Sequence, residues 1–252
     1  MIITFAMSPE WLANTWLVAD KPGGRAVMVD AGAPTERILE KIGRHRLTVT
    51  HVLLTHHHVD HVANASFYRE RFGAAVCGHE KEAPLFQAFD VRLRDGEEIV
   101  TGDLRIRVLH IPGHTLGQVA FVMNEERVFT GDTLFRGSVG GTRAPGHTTF
   151  EDLHHSIMRV LMALPPSWTV HPGHMGPTTI RQEWETNPFI RLWRGLDEPT
   201  ATPCVAMGRQ AQLLLRAPDY DGGTKAFVRF ADDGRLDIVP GSVTHDVRDM
   251  AS

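Results

Sequence analysis

Short apolar runs separated by turn residues fill the first half of the chain, and their spacing predicts alternating strands and helices. Residues 1–7, 15–19 and 26–30 are such runs, and Pro22, Gly23 and Gly24 break the last two as a hairpin would. Pro34 opens a predicted helix to about residue 42, near the first position where its missing N–H costs nothing. Residues 47–54 form a β-branched strand, residues 61–72 a helix and residues 74–77 the next strand. The middle of the chain is richer in strands, expected at 98–100, 104–110, 118–123 and 127–130. Residues 151–164 return to helical spacing, with Leu153, Ile157, Val160, Leu161 and Leu164 on one side until Pro165 and Pro166 stop them. A strand at 168–170 follows, and Thr178 is placed to cap a helix in which Ile180 and Trp184 share a face.

Near residue 200 the character changes. Residues 197–203 are polar and contain Pro199 and Pro203, as a linker would. Strands are then expected at 212–215, 225–230 and 236–239, joined by hairpin-like connectors that each contain Asp-Gly. The expected organisation is a main domain over 1–199 and a small β-rich extension over 200–252. The extension is too short for a large core of its own, so it should brace the main domain or form a homodimer contact.

Composition removes several classes. No run of about 18 apolar residues exists to span a membrane, and the N-terminus lacks the basic stretch of a secretory leader. Only Cys77 and Cys204 occur, which argues against a disulfide framework or a cysteine-based zinc knuckle and for a cytoplasmic protein. With 26 Lys+Arg against 30 Asp+Glu, the net charge of −4 argues against a broad nucleic-acid face, and the partner expected is a small-molecule substrate.

The unusual count is histidine, with 15 in the chain. The sharpest cluster, Thr55-His56-His57-His58-Val59-Asp60-His61, lies where a predicted strand gives way to a helix. Three further polar sites follow predicted strands in the same way: Pro112-Gly113-His114-Thr115, Thr130-Gly131-Asp132-Thr133 and His171-Pro172-Gly173-His174. Strand ends at one sheet edge are where such folds gather ligands. Imidazoles and carboxylates together suit zinc, iron or manganese without a thiolate.

At this point the sequence resembles the metallo-β-lactamase superfamily, and within it the glyoxalase II-like (hydroxyacylglutathione hydrolase-like) enzymes. The family's HxHxDH motif matches His56, His58, Asp60 and His61. Its later histidines match His114 in PGHT and His174 in HPGH, and its aspartates match Asp132 in FTGDTLF and Asp30 in VDAG. The stretch TTIRQEWETNPF resembles the closing segment of small members. The resemblance implies an α/β fold of four αββα layers, here with the β-rich appendage. It also implies two divalent ions, zinc first and iron or manganese as alternatives. The first would take His56, His58 and His114, the second Asp60, His61 and His174, and Asp132 would bridge them. Asp60 and Asp132 would then be catalytic, while Asp30, Thr55 and Thr133 would support the ligands from behind.

The activity so implied is hydrolysis of an acyl bond, foremost a thioester of the acyl-glutathione type, by a metal-bridging hydroxide. The alternatives are a mononuclear iron persulfide dioxygenase, a lactonase and, outside enzymes, a metal-stabilised binding scaffold. Two departures bear on substrate. Many relatives carry Gly-Arg-Thr-Asp after the aspartate motif, but here Gly141 stands at the arginine position, leaving Arg136 or Arg143 as the substrate-binding candidates. Full-length glyoxalase II enzymes hold glutathione with a helical C-terminal region, whereas this tail reads as strands. His57 is expected to face solvent or stand behind the ligands, His171 to be structural or stand behind them, His79 and His110 to be no ligands, and Cys77 to be a core residue.

Overall fold

The computed structural model describes residues 1–86 and 88–246. Two six-stranded sheets face one another. The first runs in chain order through Ile2–Met7, Asn14–Ala19, Arg25–Val29, Thr48–Leu53, Ala75–His79 and Val91–Leu93, antiparallel at its start and parallel from Arg25–Val29 onward. The second orders Thr178–Thr179, Thr169–Pro172, Arg127–Gly131, Val119–Met123, Leu104–His110 and Glu98–Thr101. Side chains alternate across each strand, so each sheet has two buried faces. Trp16, Val18, Val27 and Leu53 meet Ile106, Val108, Phe121 and Phe129 between the sheets. Leu17 and Met28 point the other way, onto Ile38, Ile42 and Tyr68 of the helices Glu36–His45 and Ala65–Phe72. Val122, Val128 and Val170 pack on Leu153, Ile157 and Phe189 from the helices beyond the second sheet. The result is the four-layer αββα sandwich.

A third sheet of five strands, ordered Leu236–Pro240, Thr224–Phe230, Arg209–Pro218, Thr202–Ala206 and Thr244–Asp246, makes the β-rich appendage. One of its faces sends Leu214, Phe227 and Ile238 into the core around Leu153 and Phe189. The other keeps a small cluster of its own with Leu213, Val228 and Phe230.

Several local expectations shift. The helix expected over 61–72 is two pieces, Val59–Val62 and Ala65–Phe72. The break falls at Asn64, whose non-helical backbone N–H donates to the Ala31 carbonyl at 2.8 Å and whose side-chain amide donates to the Ala33 carbonyl at 3.0 Å. The helix expected over 151–164 is α-helical only for Phe150–His155, then widens into a π-helix over Ser156–Leu161, where Met162 N–H donates to the Ile157 carbonyl at 2.9 Å. The cap of the helix Ile180–Thr186 is Thr179 rather than Thr178, since Thr179 Oγ1 accepts from Gln182 N at 3.1 Å. Thr178 instead donates to the buried carboxylate of Glu183 at 2.6 Å. The expected linker is partly strand, because Thr202–Ala206 pairs with Arg209–Pro218.

Candidate metal centre

The four polar clusters and Asp30 follow strands that end at one edge of the sandwich. Asp30 follows Arg25–Val29, His56 follows Thr48–Leu53, His114 follows Leu104–His110, Asp132 follows Arg127–Gly131 and His174 follows Thr169–Pro172. Their ligating atoms converge in three groups, each within 4.8 Å: His56, His58 and His114; Asp60, His61 and His174; and His56, His61 and Asp132. Asp132 belongs to both sides of the site. Its Oδ2 lies 3.2 Å from His174 Nε2 and 3.6 Å from His114 Nε2, and its Oδ1 lies 3.3 Å from His61 Nε2.

The partners behind the rings decide which nitrogens face the site. His61 Nδ1 donates to Asp30 at 2.9 Å, His114 Nδ1 to the Gly141 carbonyl at 2.9 Å and His58 Nε2 to the Pro145 carbonyl at 2.8 Å. Thr55 Oγ1 gives its proton to Asp30 and accepts from His56 Nδ1, each at 3.0 Å. In its neutral form each of these rings turns its remaining nitrogen lone pair inward. His56 Nε2, His61 Nε2 and Asp132 Oδ1 are buried with no hydrogen-bond partner. Buried polar atoms are seldom left so, and acceptors that converge without donors suit a divalent cation. The nearest pair, His58 Nδ1 and His114 Nε2, is 3.0 Å apart. The residues therefore fit a binuclear divalent-metal site.

Burial and mutual repulsion set the charges. Burial, with His61 next to it, pushes the His56 imidazolium well below the usual range, and burial pulls His114 down to about 4. Burial opposes protonation of His61 too, but Asp132 and Asp30 outweigh it and hold that ring well above its ordinary value. Burial raises Asp60, yet the hydrogen bond and charge of His61 more than offset this, so its carboxyl stands below the ordinary range.

Close approach explains two glycines. A Cβ on Gly32 would fall 1.5 Å from the Asp60 carbonyl oxygen, and one on Gly173 would fall 2.2 Å from Asp132 Oδ1. Asp30 itself sits at φ 56°, a left-handed backbone that aspartate tolerates better than most residues.

The remaining expected residues are placed as follows. Thr133 is buried and its hydroxyl has no partner. Arg143 lines the cavity beside the ligand groups and pairs with Asp237, while Arg136 is exposed and does not line it. His57 turns away to the Glu82 carboxylate. His171 stacks on Phe129 at 4.6 Å, and His79 on His110 at 4.4 Å. Burial lifts the Cys77 thiol to about 12, as befits a core residue.

Three important residues escape sequence reading. Glu82 joins the two loops that carry His56–His58 and His114, accepting from His57 N at 3.0 Å, Thr115 Oγ1 at 2.8 Å and Gly117 N at 2.6 Å. Tyr220 lays its ring on His174, with centroids 3.9 Å apart. Lys225 is buried, and its ammonium lies 3.0 Å from Asp219. The only sequence signal for Tyr220 is its place in an Asp-Gly hairpin, and Glu82 has none. A cavity of about 360 Å³ opens beside His114 and Asp132, walled by Phe135, Tyr220, Lys225 and Ile238 among others. A larger one of about 830 Å³ lies between Phe150, Trp193 and Phe227, and none of the ligand candidates lines it, so the smaller is the one that adjoins the His/Asp groups.

This sandwich and its His/Asp clusters define a metal-binding α/β protein. Residues 9–174 match the metallo-beta-lactamase superfamily, and the chain belongs to that family. It is 35% identical over 185 residues to hydroxyacylglutathione hydrolase GloC of Haemophilus influenzae, an alignment covering 66% of this chain and 87% of that protein. Among solved structures, ETHE1 from Myxococcus xanthus is 32% identical with a TM-score of 0.69, covering 79% of this chain and 93% of the other. TTHA1623 in a di-iron-bound form is 33% identical with a TM-score of 0.64, covering 75% of this chain and all of the other. These relatives carry different names, so they fix the superfamily and leave the substrate open. No helix among the described residues is long and apolar enough to cross a membrane.

Proposed function

We propose that this chain is a metal-dependent hydrolase of acyl bonds, with a thioester as its substrate class. The observation that carries this reading is the convergence of unpartnered, inward-facing His and Asp atoms beside a cavity large enough for a small substrate. His56, His58 and His114 would hold one divalent ion, Asp60, His61 and His174 a second, and Asp132 both. Two ions so held would supply an activated water near neutral pH and a Lewis acid for the carbonyl.

The protein's own groups do the rest. Asp60, with 22% of its side chain exposed against 7% for Asp132, is the more open of these two carboxylates and is held ionised, so it can orient an attacking water by accepting its hydrogen bond. Phe135 and Tyr220 wall the cavity. A thiolate leaving group, with an ordinary pKa near 8.5, departs without a protein acid. An alkoxide would need one, and this favours a thioester over a lactone. The name of the Haemophilus influenzae relative makes an acyl-glutathione the reference thioester against which others are compared.

The test is metal content together with thiol release. Protein purified without added metal and then loaded with zinc, iron or manganese should hold two ions per chain and release thiol from a thioester. One iron per chain, with oxygen consumed on a persulfide and no thioester cleavage, would overturn the reading.

A further inference from the structure

The cavity wall formed by residues 219–242 lies wholly outside the segment 9–174 that matches the family. Two cations line the cavity, Arg143 from the sandwich and Lys225 from the third sheet, and each already faces a carboxylate. Lys225 Nζ lies 3.0 Å from Asp219 Oδ2 and also donates to the Val139 carbonyl at 2.7 Å. The Arg143 guanidinium pairs with Asp237, which is 2% exposed. Asp219 and Asp221 themselves line the same space. Ser138 Oγ donates to Asp219 at 3.0 Å, and Gly223 N donates to Asp221 at 2.8 Å, so both carboxylates are held in place. Among the described lining residues, then, no cation is left without a carboxylate partner.

We infer that the C-terminal sheet selects acyl substrates whose leaving group carries no free carboxylate, the chemistry of an uncharged thiol such as an N-acylated cysteamine. This rests on the acyl-hydrolase reading above and narrows it. At this wall, away from the ions, a carboxylate must share a cation that already holds a carboxylate or must break a buried ion pair, and both are costly. It also meets Asp219 and Asp221 as like charges. A neutral leaving group has neither difficulty. It can lie on the Tyr220 ring, and Ile238 and Pro240 also line the space.

The experiment compares one acyl group on two thiols, N-acetylcysteamine and glutathione, with metal-loaded full-length protein. In parallel, calorimetry measures binding of the unreactive S-methylglutathione and N-acetyl-S-methylcysteamine. The neutral thioester should have a kcat/KM at least about tenfold higher, and the neutral thioether should bind more tightly. Asp219→Asn keeps an oxygen for the Ser138 hydroxyl and frees the Lys225 ammonium. It should raise the affinity for S-methylglutathione about tenfold, the scale of one charge-assisted hydrogen bond. Equal or better turnover of the glutathione thioester by the parent, or no gain in S-methylglutathione binding by Asp219→Asn, overturns the inference. If neither thioester is cleaved, the function proposed above fails, while the binding measurements still decide the selection. Should Asp219→Asn not fold, Asp221→Asn at the exposed rim carries the same expectation at about threefold, and no gain there overturns it.

Discussion

Glu82 Oε1 accepts the Gly117 N–H at 2.6 Å, which locks a carboxylate from beyond the first sheet onto a loop of the second. The other oxygen takes His57 N at 3.0 Å and the His57 ring, so one 1%-exposed side chain ties together the two loops of the His56, His58 and His114 group. Burial raises the Glu82 carboxyl, but His57 and the hydrogen bonds of Thr115 and Gly117 bring it below its ordinary value.

Glu82→Gln places an amide NH2 where only acceptors fit. One N–H donor on the loops is left facing another donor, which costs about 1–3 kcal/mol. Denaturant unfolding should show that loss, and equilibrium dialysis should show weaker uptake of the first ion while the second group keeps its affinity. Unchanged metal binding would reduce Glu82 to a purely structural brace.

Asp30 accepts from Thr55 N at 2.8 Å and from His61 Nδ1 at 2.9 Å, and so fixes the tautomer of a ring in the second group. Asp30→Asn can keep only part of this pattern. Metal affinity should fall about 10–100-fold, the usual effect of losing such a support. Competition with a chromophoric chelator measures it directly.

Asp132 reaches both groups and His174 only one, so their removal should differ. His174→Ala should retain one ion per chain, whereas Asp132→Ala should weaken both sites. Metal analysis after gel filtration distinguishes the two patterns.

His171 is 4% exposed, and neither ring nitrogen has a hydrogen-bond partner. Burial first, and Arg127 second, depress it to about 3. The unfolded ring has an ordinary pKa near 6.5, so below that pH the unfolded chain binds a proton that the native chain refuses. Stability tied to this residue is therefore fully present above about pH 6.5 and falls as pH drops toward 3, by about 1.4 kcal/mol per pH unit. His171→Leu should match the parent within about 1 kcal/mol at pH 7.5 and exceed it by about 2 kcal/mol at pH 5. Parallel guanidinium titrations at the two pH values provide the comparison.

Gly32→Ala forces a methyl group to 1.5 Å from the Asp60 carbonyl oxygen, a backbone atom with little room to yield. The expected cost is about 1–3 kcal/mol or more, with a Tm lower by several degrees. Calorimetry of the metal-free protein isolates this effect from any loss of metal.

The sequence by itself determined most of the strands and the four His/Asp clusters, while the sandwich was expected only from the resemblance those clusters carry. Alternating apolar runs encode strands with two buried faces, and the clusters at 55–61, 112–115, 130–133 and 171–174 declare themselves because imidazoles and carboxylates crowd beside turn residues there. It determined helix ends less well, since Thr178 and Thr179 offer equivalent hydroxyls and only backbone geometry chooses between them. The tertiary structure alone decided which ring nitrogen of each histidine faces inward, because the Pro145 and Gly141 carbonyls that fix them come from remote loops. It alone decided that Glu82 braces the centre and that Tyr220 and Lys225 from the appended sheet wall it. Long-range contacts of that kind depend on how three sheets stack, and local periodicity carries no record of stacking.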